Sequence, residues 1–302
     1  MSQIALMYFY ETAMHGTMRL ASDKIGVAVS SISRQIGQLE REIGMPLFER
    51  GRRTIKLTAA GELTLEYYKS TQAEKDAFQN RLADLRHSRT GNIRLAVGEG
   101  FLNRSFTTII EEYQASNPGI EISIKSGSTA DVTRMIVEDE AHIGLVFEVG
   151  PDPKIRLRAS ALQPLSVICA PDHPLAQLKG VSMAELAEQP LCLAPRGFSI
   201  RTALAEAEAR QNVWLSPKLV TDSIHVMREM AKNGRAIAVL PAISVRAEIE
   251  DGVLIAKPII DGELEHTTIG LIHRHARQLH GPPVDLMALL ERQLRSWTNP
   301  AD

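Results

Sequence analysis

The strongest structural signal in this chain is a run of short helical patterns at residues 9–61, which read FYETAMHGTMRLASDKIGVAVSSISRQIGQLEREIGMPLFERGRRTIKLTAAG. Apolar residues recur there at helical spacing, and Gly16 and Gly26 interrupt the pattern. Thr17 stands where the N-cap of a second helix belongs. Two short helices joined at one glycine are typical of a helix-turn-helix, so the sequence predicts this motif, with its last helix at about residues 28–42.

This last helix is predicted to have one apolar and one polar face. Its apolar residues, spaced i, i+4, i+7 and i+11, form a buried stripe of Ile32, Ile36, Leu39 and Ile43. A rotation of about 100° per residue turns the opposite side outward, namely Ser30, Ser33, Arg34, Gly37 and Arg41. Because the first turns of such a helix meet base edges in the major groove, the candidate DNA-binding residues are Val29, Ser30, Ser33 and Arg34.

Each of these side chains suits a different contact with DNA. Val29 can pack on a thymine methyl group, and Ser30 or Ser33 can bond a base or a phosphate. Arg34 can pair with guanine or with a phosphate. Taken singly, an arginine is more often a solvated surface charge. The prediction of DNA binding rests on the position of all four residues on the same side of one helix.

The segment at residues 47–57 predicts a β-hairpin, or wing, with Gly51-Arg52-Arg53 at its tip. Arg50, Arg52 and Arg53 suit a narrow minor groove or its flanking phosphates. Lys56 is a further candidate for a backbone contact.

A long helix is predicted to follow the wing. From Thr58 to about Arg89 the chain contains no proline and, after Gly61, no glycine. Roughly 30 helical residues would extend about 45 Å. The helix carries an apolar seam of Leu63, Tyr67, Phe78, Leu82 and Leu85. Because no adjacent domain is available to bury the seam, we expect it to pair two subunits, whose recognition helices would then require DNA with an interrupted inverted repeat.

Composition and charge restrict the class of protein. The chain has 302 residues, of which 44% are hydrophobic and 23% charged, which excludes disorder or a coiled-coil rod as the whole structure. The net charge of -2 conceals a division, because residues 1–90 carry 13 Lys or Arg against 10 Asp or Glu and the remainder carries 21 against 26. A basic front module joined to an acidic one favours a polyanion partner for the front.

Targeting and redox signals are weak. No apolar run reaches the ~18 residues of a membrane span, and the start MSQIALMYFY lacks the basic region and cleavage site of a signal peptide. The sequence therefore predicts a cytoplasmic protein without membrane partners. Cys169 and Cys192 lie in apolar segments and are expected to be packed free thiols.

After Gly91 the pattern changes to alternating strands and helices. The predicted strands are residues 93–97, 120–124, 143–147, 165–170, 191–193, 236–240 and 267–273, and the predicted helices are 106–113, 131–138, 201–210, 223–232 and 284–297. This alternation predicts parallel sheets covered by helices. About 210 residues are generous for one such sheet, and proline-containing connections at residues 151–164 predict a division into two lobes.

The first sixty residues resemble the DNA-binding domain of the LysR-type transcriptional regulators. The matching residues keep their spacing without a gap: Ala21, Ser30, Ser33-Arg34-Gln35-Ile36, Leu39-Glu40, Gly44, Leu47-Phe48, Arg50, Leu57-Thr58 and Gly61. Residues 171–175 (PDHPL) and 234–241 (GRAIAVLP) are similar to the effector domain of the same family, so the resemblance covers essentially the whole chain.

The resemblance implies a three-part fold and a regulatory function. It implies a winged helix-turn-helix at residues 1–58, a dimerising linker helix at 59–90, and at 91–302 an α/β domain of the periplasmic-binding-protein type. One lobe would comprise residues 91–161 and 267–302, and the other 162–266. Members of the family act as tetramers that bend promoter DNA in response to a small effector, which makes RNA polymerase an expected further partner.

Two departures from the family pattern bear on specificity and structure. The family commonly has Ser-Gln where this chain has Ala28-Val29, and Asp where it has His142. Losing a hydroxyl N-cap costs about 1 kcal/mol, and losing the glutamine removes a typical reader of adenine. The base preference of this chain is therefore expected to differ from that of its relatives.

Effector-binding residues are expected where strands end and helices begin, because free N–H groups point outward there. Four loops satisfy this rule, at residues 98–101, 127–129, 196–199 and 221–223, although the last also fits simple helix capping. Phe147 could line the cleft or belong to the core. The candidate effector residues are Glu99, Gly100, Phe101, Ser128, Thr129, Phe147, Arg196, Phe198, Ser199 and Thr221.

Glu99 stands where the family commonly has a small hydroxyl residue. A buried carboxylate needs a cationic partner, and Arg196 or Arg201 could hold an anion. These residues lead to the hypothesis of an effector with an amino group and a carboxylate, such as an amino-acid derivative. The alternative is that Glu99 bonds a neighbouring arginine and has no role in binding.

Other functions have less support. His266, His273, His275 and His280 lie close in sequence but lack cysteine or carboxylate ligands at fixed spacing, so we expect no metal or other cofactor. Gly98-Glu99-Gly100 lacks the Lys-Ser/Thr of a phosphate loop, and no nucleophile motif is present, so an enzyme is not expected. The competing interpretation is a small-molecule binding protein whose front module serves only oligomerisation.

Overall fold

The computed structural model describes residues 1–49, 55–85, 90–275, 277 and 279–297. The chain divides into two compact units, Met1–Gln79 and Asn80–Asp302. None of the described helices combines the length and apolar character that crossing a bilayer requires.

The first unit contains the predicted helix-turn-helix. It contains α1 (Gln3–His15), α2 (Met18–Ile25), α3 (Val29–Ile43) and, as far as Gln79, α4 (Ala59–Leu85). Gly16 and Gly26 end α1 and α2 with φ of 71° in both, the left-handed conformation that glycine adopts without steric cost. The predicted helix boundaries therefore agree with the structure to within about one residue.

A small apolar core holds α1, α2 and α3 together. Phe9, Ile32 and Leu39 are fully buried in it, and the rings of Phe9 and Phe48 lie 5.1 Å apart. The first turns of α4 join this core through partly buried apolar residues. At Gly61 a Cβ atom would lie 2.1 Å from the Leu47 carbonyl oxygen, so only glycine permits this close approach.

The wing is partly described. Phe48 and Leu57 form an antiparallel bridge, and the Glu49 amide donates to the Lys56 carbonyl at 2.9 Å, which confirms the start of a hairpin. Residues 50–54, including the predicted contacts Arg50, Arg52 and Arg53, lie outside the described residues.

Helix α4 is described over 27 residues, and residues 86–89 of the predicted helix lie outside the described part of the chain. The predicted seam side chains Leu63, Tyr67, Phe78 and Leu82 are exposed, to between 37% and 74%. The side chain of Leu85 lies outside the described residues. The seam is therefore an apolar surface in the single chain.

Two five-stranded sheets form the second unit. Their strands are β1 (Gly91–Gly98), β2 (Ile120–Gly127), β3 (Ile143–Phe147), β4 (Ile155–Leu162), β5 (Leu165–Cys169), β6 (Leu191–Leu193), β7 (Pro217–Val220), β8 (Ile237–Pro241), β9 (Ile255–Pro258) and β10 (Thr268–Arg274). The first sheet has the order β2-β1-β3-β10-β4 and the second β7-β6-β8-β5-β9. We call the first sheet with its helices lobe I, and the second with its helices lobe II.

The prediction of parallel sheets is confirmed for the pairs that β1 forms with β2 and β3 and that β6 forms with β7 and β8, but it is wrong for the other strand pairs. Strand β10 runs antiparallel to β3 and β4, and β5 runs antiparallel to β8 and β9. The cause is the path of the chain, which enters lobe II between β4 and β5 and returns to lobe I between β9 and β10. Both sheets consequently contain strands that have no helical crossover.

Three strands were not predicted, namely β4, β7 and β9. All three are edge strands of their sheets, with mostly exposed or half-buried side chains. The continuous apolar run that marks a buried strand is therefore missing from them. Because β4 occupies most of residues 151–164, the predicted connection at those residues is corrected to a strand.

Helices cover both sheets as predicted. They are α5 (Arg104–Ser116), α6 (Thr129–Val137), α7 (Met183–Ala187), α8 (Ser199–Gln211), α9 (Ile224–Lys232), α10 (Arg246–Glu250) and α11 (Pro282–Trp297), of which the short α7 and α10 were not predicted.

Cys169 and Cys192 are buried free thiols, and burial raises the pKa of each.

Candidate DNA-binding and effector sites

Helix α3 separates its buried and exposed residues as the periodicity predicts. Ile32, Ile36 and Leu39 are at most 2% exposed, whereas Ile43 is only half-buried. The four candidate DNA-binding residues all lie on the exposed side: Val29, Ser30, Ser33 and Arg34. Arg41 is exposed as expected, and Gly37 is half-buried.

The two helices of the motif begin differently. The Thr17 hydroxyl accepts a hydrogen bond from the Leu20 amide at 3.1 Å and so caps α2, as predicted. Ala28 is the N-cap residue of α3 and makes no side-chain bond. The Ser31 amide donates to the Ala28 carbonyl at 2.9 Å, so within the described residues the Val29 and Ser30 N–H groups are the ones available to another acceptor.

The second unit contains a cavity of about 290 Å³ between its two lobes. It lies at the carboxyl ends of the parallel strands β1, β2 and β6, where ligand sites of open α/β sheets form. The lining residues are Gly98, Glu99, Gly100, Phe101, Ser126, Gly127, Ser128, Thr129, Asp131, Phe147, Phe198, Ser199, Ile200, Asp222, Ser223, Ile224, Pro241, Ile243 and Ser244.

Eight of the ten candidate effector residues line this cavity: Glu99, Gly100, Phe101, Ser128, Thr129, Phe147, Phe198 and Ser199. Arg196 and Thr221 do not. The Thr221 hydroxyl instead accepts a bond from the Ser223 amide at 3.1 Å and so shapes the turn before α9.

Sequence reasoning missed several lining residues. Asp131 is predicted only as the start of a helix, although its spacing from Ser128 is the signature of a capping box and would place it beside the cavity. Ser244 and Ile243 belong to a short turn after β8 that carries no motif. Their position follows from the packing of the two lobes, which periodicity does not report.

The proposal that Arg196 or Arg201 holds an anion in the cleft is not supported. The Arg201 guanidinium is buried and forms a bidentate ion pair with Glu208 at 3.0–3.1 Å. Arg196 is exposed and lines a separate groove with Trp214. Both arginines lie in or next to the predicted loop at residues 196–199. The charge of Arg201, however, is neutralised by Glu208, and Arg196 lies in the other groove.

Glu99 links the two lobes across the cavity. Its Oε1 accepts a hydrogen bond from the Ser223 hydroxyl at 3.1 Å, and Ser223 is the N-cap residue of α9 in lobe II. The alternative that Glu99 bonds a neighbouring arginine finds no support among the described residues. Glu99 is half-buried, and its partner there is a hydroxyl group rather than a cation.

Helix α6 begins at the cavity with a capping box. Ser128 accepts from the Asp131 amide, while the Asp131 carboxylate accepts from the Ser128 amide at 3.1 Å and from its hydroxyl at 2.6 Å. These bonds from Ser128 lower the pKa of Asp131. The Thr129 hydroxyl donates to the Phe147 carbonyl at 2.8 Å and so joins α6 to β3.

The described residues contain no cluster of three or more His, Cys, Asp or Glu side chains that could hold a metal ion. Among the histidines considered from sequence, His266 bonds the Gly262 carbonyl. Burial lowers the pKa of His273, which keeps its ring neutral at pH 7.

A helix-turn-helix followed by a long helix and a two-lobed α/β domain with an interlobe cavity defines a class of DNA-binding regulators. Residues 4–62 match the model of the family described as bacterial regulatory helix-turn-helix protein, lysR family, and residues 86–295 match that of the LysR substrate binding domain. The chain belongs to the LysR family of transcriptional regulators.

Similar proteins are regulators rather than enzymes. The chain is 27% identical to the HTH-type transcriptional activator CmpR of Synechocystis sp. over 82% of its own length and 81% of that protein. It is 25% identical to the SDS degradation transcriptional activation protein of a Pseudomonas species over 98% and 97% of the two chains. The prediction that the chain is a regulator and not an enzyme is thereby confirmed.

Solved structures share the fold over nearly the whole chain. A full-length OxyR variant from Pseudomonas aeruginosa superposes with a TM-score of 0.67 and 18% identity, covering 98% of this chain and 95% of that one. Full-length CbnR in complex with its target DNA superposes with a TM-score of 0.58 and 22% identity, covering 97% and 100%. At these identities the likeness concerns the fold.

Proposed function

We propose that the exposed face of α3 reads promoter DNA in the major groove through Val29, Ser30, Ser33 and Arg34. The observation that carries this proposal is the division of α3 itself, where Ile32, Ile36 and Leu39 anchor one side and these four residues are exposed on the other. The CbnR structure contains target DNA bound to a protein of the same fold. Arg50, Arg52 and Arg53 are proposed to extend the contact to an adjacent minor groove.

The apolar seam of α4 is proposed to pair two subunits. Leu63, Tyr67 and Phe78 are each at least half exposed, and burying them in a second copy would gain roughly 1.5–3 kcal/mol per large side chain. Paired subunits would present two recognition helices to an interrupted inverted repeat. We further propose that the protein acts in the cytoplasm as a tetramer, together with RNA polymerase. The boundaries between its three parts are proposed to lie at residues 58 and 90.

The interlobe cavity is proposed to bind the effector that modulates DNA binding. Eight residues expected from sequence converge on it from both lobes. Glu99 favours an effector with an amino group, as an amino-acid derivative has, since an ammonium group is the natural partner of a half-buried carboxylate.

DNA binding is tested with the full chain and duplexes selected from a random pool. Fluorescence anisotropy across a range of salt concentrations should give a log–log slope of about -0.9 per phosphate contacted. Arg34→Ala should weaken binding roughly 5- to 150-fold, the equivalent of a lost guanine contact of about 1–3 kcal/mol. Arg292→Ala, which removes an exposed arginine from the second unit, is the matched control and should change affinity less than about twofold.

Two results would argue against this function. If no duplex is enriched and binding has no salt dependence, the front module serves only oligomerisation and the chain is a small-molecule binding protein. If Arg34→Ala and Arg292→Ala weaken binding equally, α3 does not read DNA through its exposed face.

A further inference from the structure

The lining of the interlobe cavity has an unbalanced charge. Three carboxylates line it, those of Glu99, Asp131 and Asp222, and its lining within the described residues includes no lysine, arginine or histidine. A ligand with a net negative charge would have to enter this cavity against three carboxylates. The field of the site therefore favours a positive ligand.

The three carboxylates are not equally available. Both hydrogen bonds that Asp131 accepts come from Ser128, so its charge supports the start of α6. Asp222 is exposed. Glu99 is half-buried and accepts one bond, from the Ser223 hydroxyl. Since a carboxylate has about four acceptor positions, Glu99 retains the capacity to bind an ammonium group.

The cations that an amino acid would need for its carboxylate lie elsewhere. Arg201 forms an ion pair with Glu208, and Arg196 lines a different groove. Within the described lining, a negative oxygen would find hydroxyl groups, such as that of Ser244, and uncapped helix starts, such as that of α8, where Phe198 provides no side-chain cap. A zwitterionic amino acid is therefore the alternative that an experiment must separate.

The rest of the lining combines hydroxyl side chains with apolar and aromatic ones. Phe101, Phe147 and Phe198 line the cavity together with Ile200, Ile224 and Ile243. Aromatic rings attract a desolvated cation as well as an apolar body. The chemistry of the lining thus combines one available carboxylate with an apolar surface.

We infer that the effector is an organic amine, positively charged and without a carboxylate, whose ammonium group binds Glu99 and whose apolar or aromatic body contacts the three phenylalanines. This inference rests on the proposed function, which assigns the effector to this cavity. It replaces the zwitterion of the sequence-based hypothesis with a simple cation.

The same contact offers a route from binding to lobe geometry. Glu99 belongs to lobe I and Ser223 to lobe II, so their hydrogen bond joins the lobes at the cavity. A second bond between the lobes, from the Asn103 side chain to the Ile243 carbonyl at 2.9 Å, lies close in sequence to it. An ammonium group bound to Glu99 would either displace the Ser223 hydroxyl from this carboxylate or bind beside it. Binding of the amine would therefore alter the contact between the two lobes.

The test uses the full-length protein and sets of small molecules that share a skeleton and differ in charge. Phenethylamine, phenylalanine and hydrocinnamate form one set, and hexylamine, norleucine and heptanoate a second. Titration calorimetry should show that the amine of at least one set binds, with its amino acid at least about tenfold weaker and its acid weaker still. Equal or tighter binding of an amino acid or an acid overturns the inference, and so does the absence of binding by both amines at millimolar concentration.

Variants separate a charge effect from a structural one. Glu99→Gln keeps an acceptor for Ser223 and removes the charge, so the amine should bind roughly 10- to 100-fold more weakly, as expected for a charged hydrogen bond. Glu206→Gln removes an exposed charge from α8 outside the lining and should leave affinity unchanged. If Glu99→Gln binds the amine as well as the wild type does, Glu99 is not the partner.

DNA binding is measured in parallel on the same preparations. If the wild type binds duplex DNA and no amine, this inference fails and the proposed function stands. If it binds amines and no duplex, the DNA-binding proposal fails instead.

Discussion

The two candidate binding regions draw their residues from the sequence in opposite ways. On α3 the four candidates fall within six consecutive positions of one helix, from Val29 to Arg34, whereas the cavity lining comes from separate loops spread over residues 98–244. Arginine illustrates the consequence. Arg34 is exposed on α3, while Arg201 at the start of α8 is buried against Glu208. An arginine is therefore available to a ligand in one region and stabilises the fold in the other. The difference lies in whether a neighbouring carboxylate binds its guanidinium group.

The largest expected effect comes from breaking the buried ion pair. Arg201→Met leaves the Glu208 carboxylate buried without its cation, and of the described residues the Leu215 amide then remains as its hydrogen-bond donor, at 2.9 Å. Removing one member of such a pair typically costs about 3–5 kcal/mol, so the free energy of unfolding of the second unit should fall by that amount. Urea denaturation followed by circular dichroism measures the change.

The matched control is Arg201→Met combined with Glu208→Gln. Glutamine removes the unpaired charge and keeps an acceptor for Leu215, so most of the lost stability should return. A single variant that unfolds like the wild type but loses effector binding would show that Arg201 acts on the ligand after all, and the contrast with Arg34 would disappear.

The helix-turn-helix could be predicted almost completely from sequence because its information is local. The glycines after α1 and α2 and the spacing of Ile32, Ile36 and Leu39 each depend on neighbours within a few residues. Seven strands of the second unit could be predicted for the same reason, including the edge strand β2, in which Ile120, Ile122 and Ile124 alternate with polar residues. The edge strands β4, β7 and β9 could not, since an exposed strand lacks the apolar run that marks a buried one.

The cavity could be predicted only in part. The rule that ligands bind where strands end and helices begin places Glu99, Ser128 and Ser199 correctly on the lining. The rule gives positions along the chain but not the direction of a long side chain, and so it could not exclude Arg196. The antiparallel strands likewise depend on two passages between the lobes, which no local pattern encodes.

The next effect, of intermediate size, concerns how the helices of the two regions begin. Helix α3 starts at Ala28 without a side-chain cap, whereas Thr17 caps α2. Because Ala28 already has the extended backbone of an N-cap residue, with ψ of 139°, Ala28→Ser should stabilise the first unit by about 1 kcal/mol. Thermal or urea unfolding of that unit measures the gain.

Thr17→Ala is the control with the opposite sign and should cost a similar amount. If Ala28→Ser gives no gain while Thr17→Ala gives a loss, the start of α3 is already satisfied and its N–H groups are not available to DNA phosphate.

The smallest effect is a pH dependence at the start of α6, which lies on the cavity. The hydrogen bonds from Ser128 lower the pKa of Asp131 in the folded state, so its contribution to stability is present above the unfolded value of about 3.9 and is lost as the pH falls through the folded pKa. Because Asp131 is exposed, this contribution should stay below about 1 kcal/mol. Asp131→Asn should therefore be slightly less stable than the wild type at neutral pH, and the difference should disappear once the pH has fallen below the folded pKa of Asp131.

Glu185→Gln provides the comparison, because α7 begins with the same capping box. Ser182 donates its hydroxyl and its amide to Glu185 and lowers the pKa of that carboxylate as well. Both variants should lose pH dependence in the same direction. Only Asp131→Asn should also weaken amine binding, since Asp131 lines the cavity and Glu185 does not. If the difference between Asp131→Asn and the wild type persists unchanged in acid, ionisation of Asp131 is not its cause, and the capping box contributes only neutral hydrogen bonds.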